Sequence, residues 1–543
     1  MPDLPPIRRL VLLLALALGP LSCASLQPAA YEDYIGPELR KRAATTAPAA
    51  AAATAPATRR LSPADGPIKL TLEEAILVAL ENNRELAVQR LAPRIQQTFE
   101  DQERALFDPL ATASIQQSRI KAQRLARAGA GTEHSAVDSI LAAAGLSQFL
   151  PTGTTVGVDA SSTYTDSSLS DDTFVATRVG LTATQALLNG FGTDVNLASL
   201  RQARLDTLAS QYELRGFAEA LLADVETTYW DYVLAERQIE IFTESLALAR
   251  RQLDETQQRV EIGRLSEMEL AAMRAEVALR QEALINARST LATTALRLLR
   301  LLNPDGANPL TRKIVLLNRP SAPRNELEDV QTHVSAALNM RPDMNQARLA
   351  LQRDELEIVK TRNGLLPRLD LFITLGKTGY SEVFGRSAQN VRGDTYDVLM
   401  GARFSYPLGN RDARAQHARA TFTRLQTREA LANLAQLVEL DVRAAYIEIR
   451  RAAEQVTATA ATRKLQEETL RAETEKFRVG KSTSLLVARA QRDLVASRIA
   501  EVEAVINYSK AMVSFYRLEG TLLIRRGIAA PGREPILEDI LRR

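Results

Sequence analysis

The 543-residue sequence holds one cysteine and three histidines, His134, His333 and His417. Intramolecular disulfides, cysteine-based zinc centres and histidine-rich metal clusters are therefore excluded, and no cofactor or metal is expected. Glycine and proline are sparse, at 25 and 22 residues, about 9% of the chain against roughly 12% on average. A string of turn-rich modules needs more punctuation than that. Neither sign of charge dominates: 68 basic residues face 65 acidic ones, for a formal net charge of +3, so nothing points to nucleic acid. Beyond the N-terminal leader no apolar run reaches the ~18 residues of a spanning helix. A membrane could then be crossed only by strands. No nucleophile and base stand at a recognisable spacing, and an enzyme is not expected.

What is present begins with a targeting segment. Arg8 and Arg9 precede the apolar run Leu10 to Leu18, the layout of a secretory signal over residues 1–22. Pro20-Leu21-Ser22-Cys23 follows and resembles a bacterial lipobox, although Pro20 stands where a leucine is usual. In that reading Cys23 becomes an acylated N-terminus. Cleavage near Ala29 or Ala30, which discards Cys23, is the alternative. Ala24 and Ser25 carry no acidic retention signal, which points a lipoprotein to the outer membrane. Residues 23–67 would be anchor and tether, because Ala43 to Thr58 is an Ala/Thr/Pro tract unable to offset the entropy of ordering.

The rest of the chain is duplicated. Arg259-Val260-Glu261-Ile262-Gly263-Arg264-Leu265-Ser266 matches Lys476-Phe477-Arg478-Val479-Gly480-Lys481-Ser482-Thr483 at an offset of 217 positions. The same offset pairs Val225 with Val442 and Leu298 with Phe515, while Leu86 pairs with Met344 and Asp108-Pro109 with Leu366-Pro367 at 258. The 41 residues of difference are extra sequence between Pro109 and Gly192. Two repeats, 68–304 and 326–523, are thus separated by a linker, 305–325, and followed by a tail, 524–543.

Each repeat reads helix, strands, very long helix, break and returning helix. Thr71 and Glu74 form a capping-box signature opening a helix to about Phe107, and a second helix is predicted from Glu326 to Gly364, each stopped by proline. Beyond the prolines the period falls to two. Leu369, Leu371, Ile373 and Leu375 form one apolar face, as do Tyr396, Val398, Met400 and Phe404, and Thr154 to Thr165 and Val175 to Leu187 read as strands of the first repeat. From Gly192 to about Ile262 no proline interrupts a seam of Val225, Tyr232, Ala235, Leu246, Ala249 and Thr256, which Met273, Arg280, Leu284, Ala287 and Leu298 answer. An antiparallel coiled coil turning at Gly263 is predicted. In the second repeat the seam Val442, Ile449 and Val456 runs into Arg463 and Gln466, where the interface is either weak or polar.

With its Leu150-Pro151-Thr152-Gly153 turn, the junction Gln185-Ala186-Leu187-Leu188-Asn189-Gly190-Phe191-Gly192 and the tips at Gly263 and Gly480, the span from about Ile68 to Leu523 resembles the TolC family of outer membrane efflux proteins. The resemblance implies a mainly α fold with β. Three chains would share a twelve-stranded transmembrane barrel, four strands each, continued by a coiled-coil tunnel through the periplasm. The extra residues, including Lys121 to Ala144, would then be an enlarged surface-facing loop or an added hairpin, the loop being favoured. It also implies a passive exit channel docking to a periplasmic adaptor and an inner-membrane pump or ABC exporter. The implied contacts are Val260, Gly263, Leu265, Ser266, Val479, Gly480, Ser482 and Thr483, with Ser266 or Ser482 available to cap the returning helix. Where some members narrow the tunnel with acidic residues, this chain has Leu486 and Arg489, so a carboxylate ring is not carried over; Arg489 either forms a basic ring, pairs across chains, or is solvated. A periplasmic coiled-coil scaffold without channel activity is the competing reading, but it leaves the matching strands unexplained.

Cys23→Ala is expected to abolish incorporation of radiolabelled fatty acid into the expressed protein, and an unlabelled parent protein would remove the lipid anchor.

Overall fold

The computed structural model describes residues 67–125, 132–168, 172–263, 265–304, 308–319 and 328–529. The signal segment, Cys23 and the tether lie outside them. Each repeat opens with a short strand, β1 (Ile68–Leu70) and β6 (Ile314–Leu316), and the two pair in parallel. β6 lies within the segment expected to be a plain linker. Thr71 accepts from the Glu74 amide at 3.2 Å while the Glu74 carboxylate accepts from the Thr71 amide at 3.0 Å, completing the capping box.

The predicted helix to Phe107 is broken into α1 (Leu72–Asn82), α2 (Arg84–Gln89) and α3 (Ala92–Arg104). Asn83 is extended, caps α2 through the Leu86 amide at 2.9 Å, and donates to the Leu301 carbonyl at 3.0 Å. A side chain with a backbone partner on each side holds the kink. In the second repeat α7 (Val330–Met340) and α8 (Pro342–Gly364) are split at Arg341. There the following proline forces the extended conformation. Asn83 and Arg341 are equivalent positions, so one break is built by two chemistries.

The strands come next: β2 (Leu110–Leu125), β3 (Thr132–Phe149), β4 (Thr154–Ser167) and β5 (Phe174–Ala186) in the first repeat, β7 (Arg368–Ser381) and β8 (Tyr396–Ser405) in the second. They form one antiparallel sheet in the order β2-β3-β4-β5-β7-β8. Two expectations are corrected here. Among the described residues this sheet has six strands where the resemblance implied four, and most of the stretch from Lys121 to Ala144 belongs to the β2–β3 hairpin, the added-hairpin alternative, and not to the favoured surface loop. The stretch Ser139 to Ser147 hides its period of two because apolar side chains fall on both faces, Ile140 beside Leu141, and the run Ala142-Ala143-Ala144 favours helix as readily as strand. α9 (Phe384–Asn390), in the β7–β8 connection, folds back onto the sheet through a buried Thr177–Ser387 hydroxyl pair at 2.7 Å.

After α4 (Thr193–Asn196) the long helices follow. α5 (Ala198–Glu261) and α10 (Arg411–Arg478) have 64 and 68 residues, hence lengths of about 96 and 102 Å at ~1.5 Å per residue. The returning helices are α6 (Glu267–Leu302) and α11 (Ser484–Glu519). The seam residues Val225, Tyr232, Ala235, Leu246, Ala249 and Thr256 are buried, as are Met273, Arg280, Leu284, Ala287 and Leu298. The polar stretch of the second seam is an ion-pair interface: Arg463 holds Glu501 of α11 at 2.6 Å and Glu467 at 3.0 Å. The returning helices end on left-handed residues at equivalent positions, Asn303 (φ 41°) and Gly520 (φ 73°).

At the middle of the molecule the repeats lock together. Val438, Val442 and Ile449 pack with Val334, Met344 and Phe515. Buried polar groups cross-link this region. Arg215 donates to the Gly520 carbonyl at 2.7 Å and pairs with Glu219, whose carboxyl burial pushes up to about 7 against the partial opposition of Arg215. His333 meets Glu519 at 2.8 Å, edge-on to Phe515. Helix α12 (Leu522–Arg525) carries the chain onward, and Arg526 grips Glu226, 0% exposed, with bonds of 2.8 and 2.6 Å. The beginning of the expected C-terminal tail is thus part of the fold.

Arg526→Ala leaves the Glu226 carboxylate buried without its partner and is expected to lower stability by about 3–5 kcal/mol, read as an earlier thermal unfolding transition in detergent.

Candidate duct wall and hairpin tips

Strand register sorts the sheet's side chains onto two faces, because antiparallel partners share a face. One row runs Ala111, Leu146, Val158, Leu181, Leu375 and Val398, one residue from each strand in sheet order. It is apolar from edge to edge, and from Leu146 to Val398 it is largely open to solvent in the single chain. Apolar surface of this extent on a lone chain marks a membrane or a partner. The adjacent row on the opposite face runs Thr112, Gly145, Asp159, Gly180, Gly376 and Asp397. Thr182 and Thr374 extend its polar character.

Two of the three glycines of that row, Gly180 and Gly376, make room for a charge bridge. Arg178 on β5 donates to Asp159 on β4 at 3.0 Å and reaches over β7 to Asp397 on β8 at 2.9 Å. A Cβ at Gly376 would lie 2.5 Å from the Arg178 guanidinium and 2.4 Å from the Asp397 carboxylate. A side chain there would force the bridge to shift. The bridge ties strands of both repeats on the polar face, where its charges can stay hydrated.

Sheet and helices are joined at hydrogen-bonded knots. The Asn196 amide donates to the Pro151 and Gly190 carbonyls at 3.1 and 2.8 Å, binding the β3–β4 turn to the β5–α4 junction. Asn363 accepts from the Gly190 amide at 2.7 Å, and Asn410 donates to the Leu365 carbonyl at 3.1 Å. The Leu150-Pro151-Thr152-Gly153 motif is therefore the turn between β3 and β4, held against the helix entry.

At the far end both hairpins reverse at a left-handed glycine, Gly263 (φ 71°) and Gly480 (φ 78°), with open space around each. A residue bearing Cβ would strain that turn. The capping expectation is corrected. Ser266 occupies the N-cap position of α6 without a side-chain bond, Ser482 instead donates to Glu473 at 2.8 Å, and Thr483 caps α11 through the Leu486 amide at 3.4 Å. The two tips are side by side: Ser484 donates to Glu269 at 2.8 Å, and Arg259 lies 5.3 Å from the Phe477 ring centre. Gly263, Ser266, Val479, Gly480 and Thr483 are exposed, whereas Val260, Leu265 and Ser482 are half-buried. Leu486 and Arg489 are exposed, and Arg489 makes no ion pair among the described residues.

The sequence reading missed the apolar character of these ends. Ile262, Met268 and Leu485 are exposed there, Met268 by 81%, beside Val479 and Leu486. Apolar residues off the heptad seam beside the turn, at the end of the long helix and in the first turn of the returning one, were the available signal.

The family model of outer membrane efflux proteins matches residues 137–304 and 333–521. No curated protein sequence matches the chain. Several solved structures share its fold. CusC, studied for folding and transmembrane channel formation, is 16% identical with a TM-score of 0.61, covering 84% of this chain and 93% of its own. A membrane protein from Pseudomonas aeruginosa is 19% identical with a TM-score of 0.62, covering 83% and 90%. The Campylobacter jejuni outer membrane channel CmeC is 16% identical with a TM-score of 0.61, covering 87% and 88%. With both repeats matched and a two-faced sheet mounted on long helical hairpins, the chain belongs to the outer membrane efflux protein family, as an outer membrane efflux channel.

Proposed function

We propose that three copies of the chain close into one passive conduit, with the sheets as its outer membrane barrel and the helical hairpins as its periplasmic tunnel. The apolar row facing lipid and the polar row facing the bore are the observation that carries this reading, because only a closed barrel satisfies strand edges inside a bilayer. Energy for export comes from an inner-membrane pump or ABC exporter, and the duct itself catalyses nothing. Acylated Cys23 adds a tether in the outer leaflet's periplasmic partner, the inner leaflet of the outer membrane.

The hairpin tips dock a periplasmic adaptor through Val260, Gly263, Leu265, Ser266, Val479, Gly480, Ser482 and Thr483. The exposed Ile262, Met268 and Leu485 supply apolar contact area around them. Leu486 and Arg489, one turn further along, narrow the tunnel mouth, where a ring of arginines favours anions. Substrate identity belongs to the pump.

The detergent-purified protein is expected to be a trimer that conducts ions across planar bilayers, and a water-soluble monomer would sink the reading. Gly480→Val is expected to weaken adaptor docking about tenfold, the equivalent of the ~1–2 kcal/mol that left-handed backbone costs a residue with a side chain. Export should fall while the trimer still assembles, and unchanged export removes the tip as a docking point. Arg489→Glu should shift the reversal potential in a salt gradient toward cation preference, and an unmoved potential takes Arg489 out of the mouth.

A further inference from the structure

We infer that the membrane barrel of the assembled channel has eighteen strands, each chain supplying a six-stranded arc whose β2 edge pairs with the β8 edge of the next copy. The inference rests on the trimer proposed above. Four observations carry it. All six strands are long enough to cross a bilayer: β8, with 10 residues, is the shortest and β3, with 18, the longest, against ~9–11 needed. The apolar row passes without interruption through the inserted strands, from Ala111 and Leu146 to Val398. A hairpin standing outside the wall, or folded into an aqueous bore, would not need an apolar face in register with the lipid-facing one.

The edges supply the third observation. Among the described residues no strand pairs with the outer side of β2 or of β8, and side chains of both, Ile115, Ile120, Met400 and Phe404 among them, are exposed. Sheet ends of this kind must be covered. The fourth is direction. Six strands alternating in an antiparallel sheet leave β2 and β8 running oppositely, so head-to-tail addition of copies extends one antiparallel pattern and closes it. β4 is already paired on both sides, by β3 and β5, and offers no edge for a twelve-stranded closure.

The consequence is bore. At ~4.8 Å between strands and a tilt of ~40°, eighteen strands give a backbone diameter of about 36 Å, against about 24 Å for twelve. The polar row is built from short side chains, Thr112, Gly145, Asp159, Gly180 and Gly376, with Arg178 lying along the wall. The outlet is therefore of porin width, and the helical tunnel sets the size limit for cargo.

Cysteine cross-linking tests the closure in the full chain carrying Cys23→Ala. Leu399→Cys on the polar face of β8 is combined, one variant at a time, with Thr112→Cys, Ser114→Cys, Gln116→Cys or Ser118→Cys on the same face of β2. Oxidation is expected to convert at least one combination into a covalent trimer that reducing agent returns to monomer. Covalent trimers from Leu399→Cys with Ser161→Cys or Thr163→Cys on β4, or none from any β2 position, overturn the eighteen-stranded wall. A native mass measurement is made first, so that a protein that is not trimeric counts against the conduit and not against the strand count. Labelling in proteoliposomes by a water-soluble maleimide gives an independent readout on β3. Ala143→Cys and Ser147→Cys should react, and reaction should be lost at Ala142→Cys and Ala144→Cys, which face lipid. Equal labelling of both sets places β3 outside the wall and overturns the inference.

Discussion

Backbone hydrogen bonding at the edges of the sheet governs this molecule. Inside a bilayer water cannot satisfy an unpaired amide or carbonyl, so a sheet with two open edges is not a finished structure. Among the described residues the sheet ends at β2 on one side and β8 on the other with no strand beyond them, and its apolar row is largely exposed in the single chain. Assembly is therefore part of folding. The same incompleteness recurs in the helices, where Leu437, Leu440, Ile447 and Leu465 of α10 stay exposed in the single chain.

The duplication shows how one geometry is reached through different residues. The helix break before the strands is held by the side-chain bonds of Asn83 in the first repeat and by the steric effect of Pro342 on Arg341 in the second. The C-cap of the returning helix is left-handed at Asn303 and at Gly520, and these are the residues that tolerate that conformation. At Gly520 the reason is also space, since a Cβ would lie 2.8 Å from the Arg341 Cα. What the repeats share is backbone shape at the places where elements meet.

Polar chemistry is concentrated where the chain must not slip. The middle of the molecule carries Arg215 with Glu219, Arg526 with Glu226 and His333 with Glu519, all linking segments distant in sequence or anchoring the end of α11. The Arg178 bridge does the same for the sheet, tying β4, β5 and β8. Each pairing is satisfied only in one register of the elements concerned, so these groups specify the arrangement as apolar packing between long, similar helices cannot.

The sequence by itself determined the architecture of each repeat: the long uninterrupted helices, the heptad seam from Val225 to Thr256, the turns at Gly263 and Gly480, and the strands around Ile373 and Met400. Those are local signals, set by period, propensity and breakers. It hid the strand character of the inserted stretch, because Ile140-Leu141 and the alanine run Ala142 to Ala144 put apolar side chains on both faces and leave no clear alternation. Only the tertiary structure decided that β2 and β3 belong to the sheet, since membership depends on register with Val158, Leu181 and Leu375 across it. It also decided which serine or threonine caps at the tips and that apolar side chains such as Met268 gather there. The physical reason is the same throughout: a strand's place in a sheet, and a side chain's neighbours at the end of a hairpin, depend on partners far away in the chain.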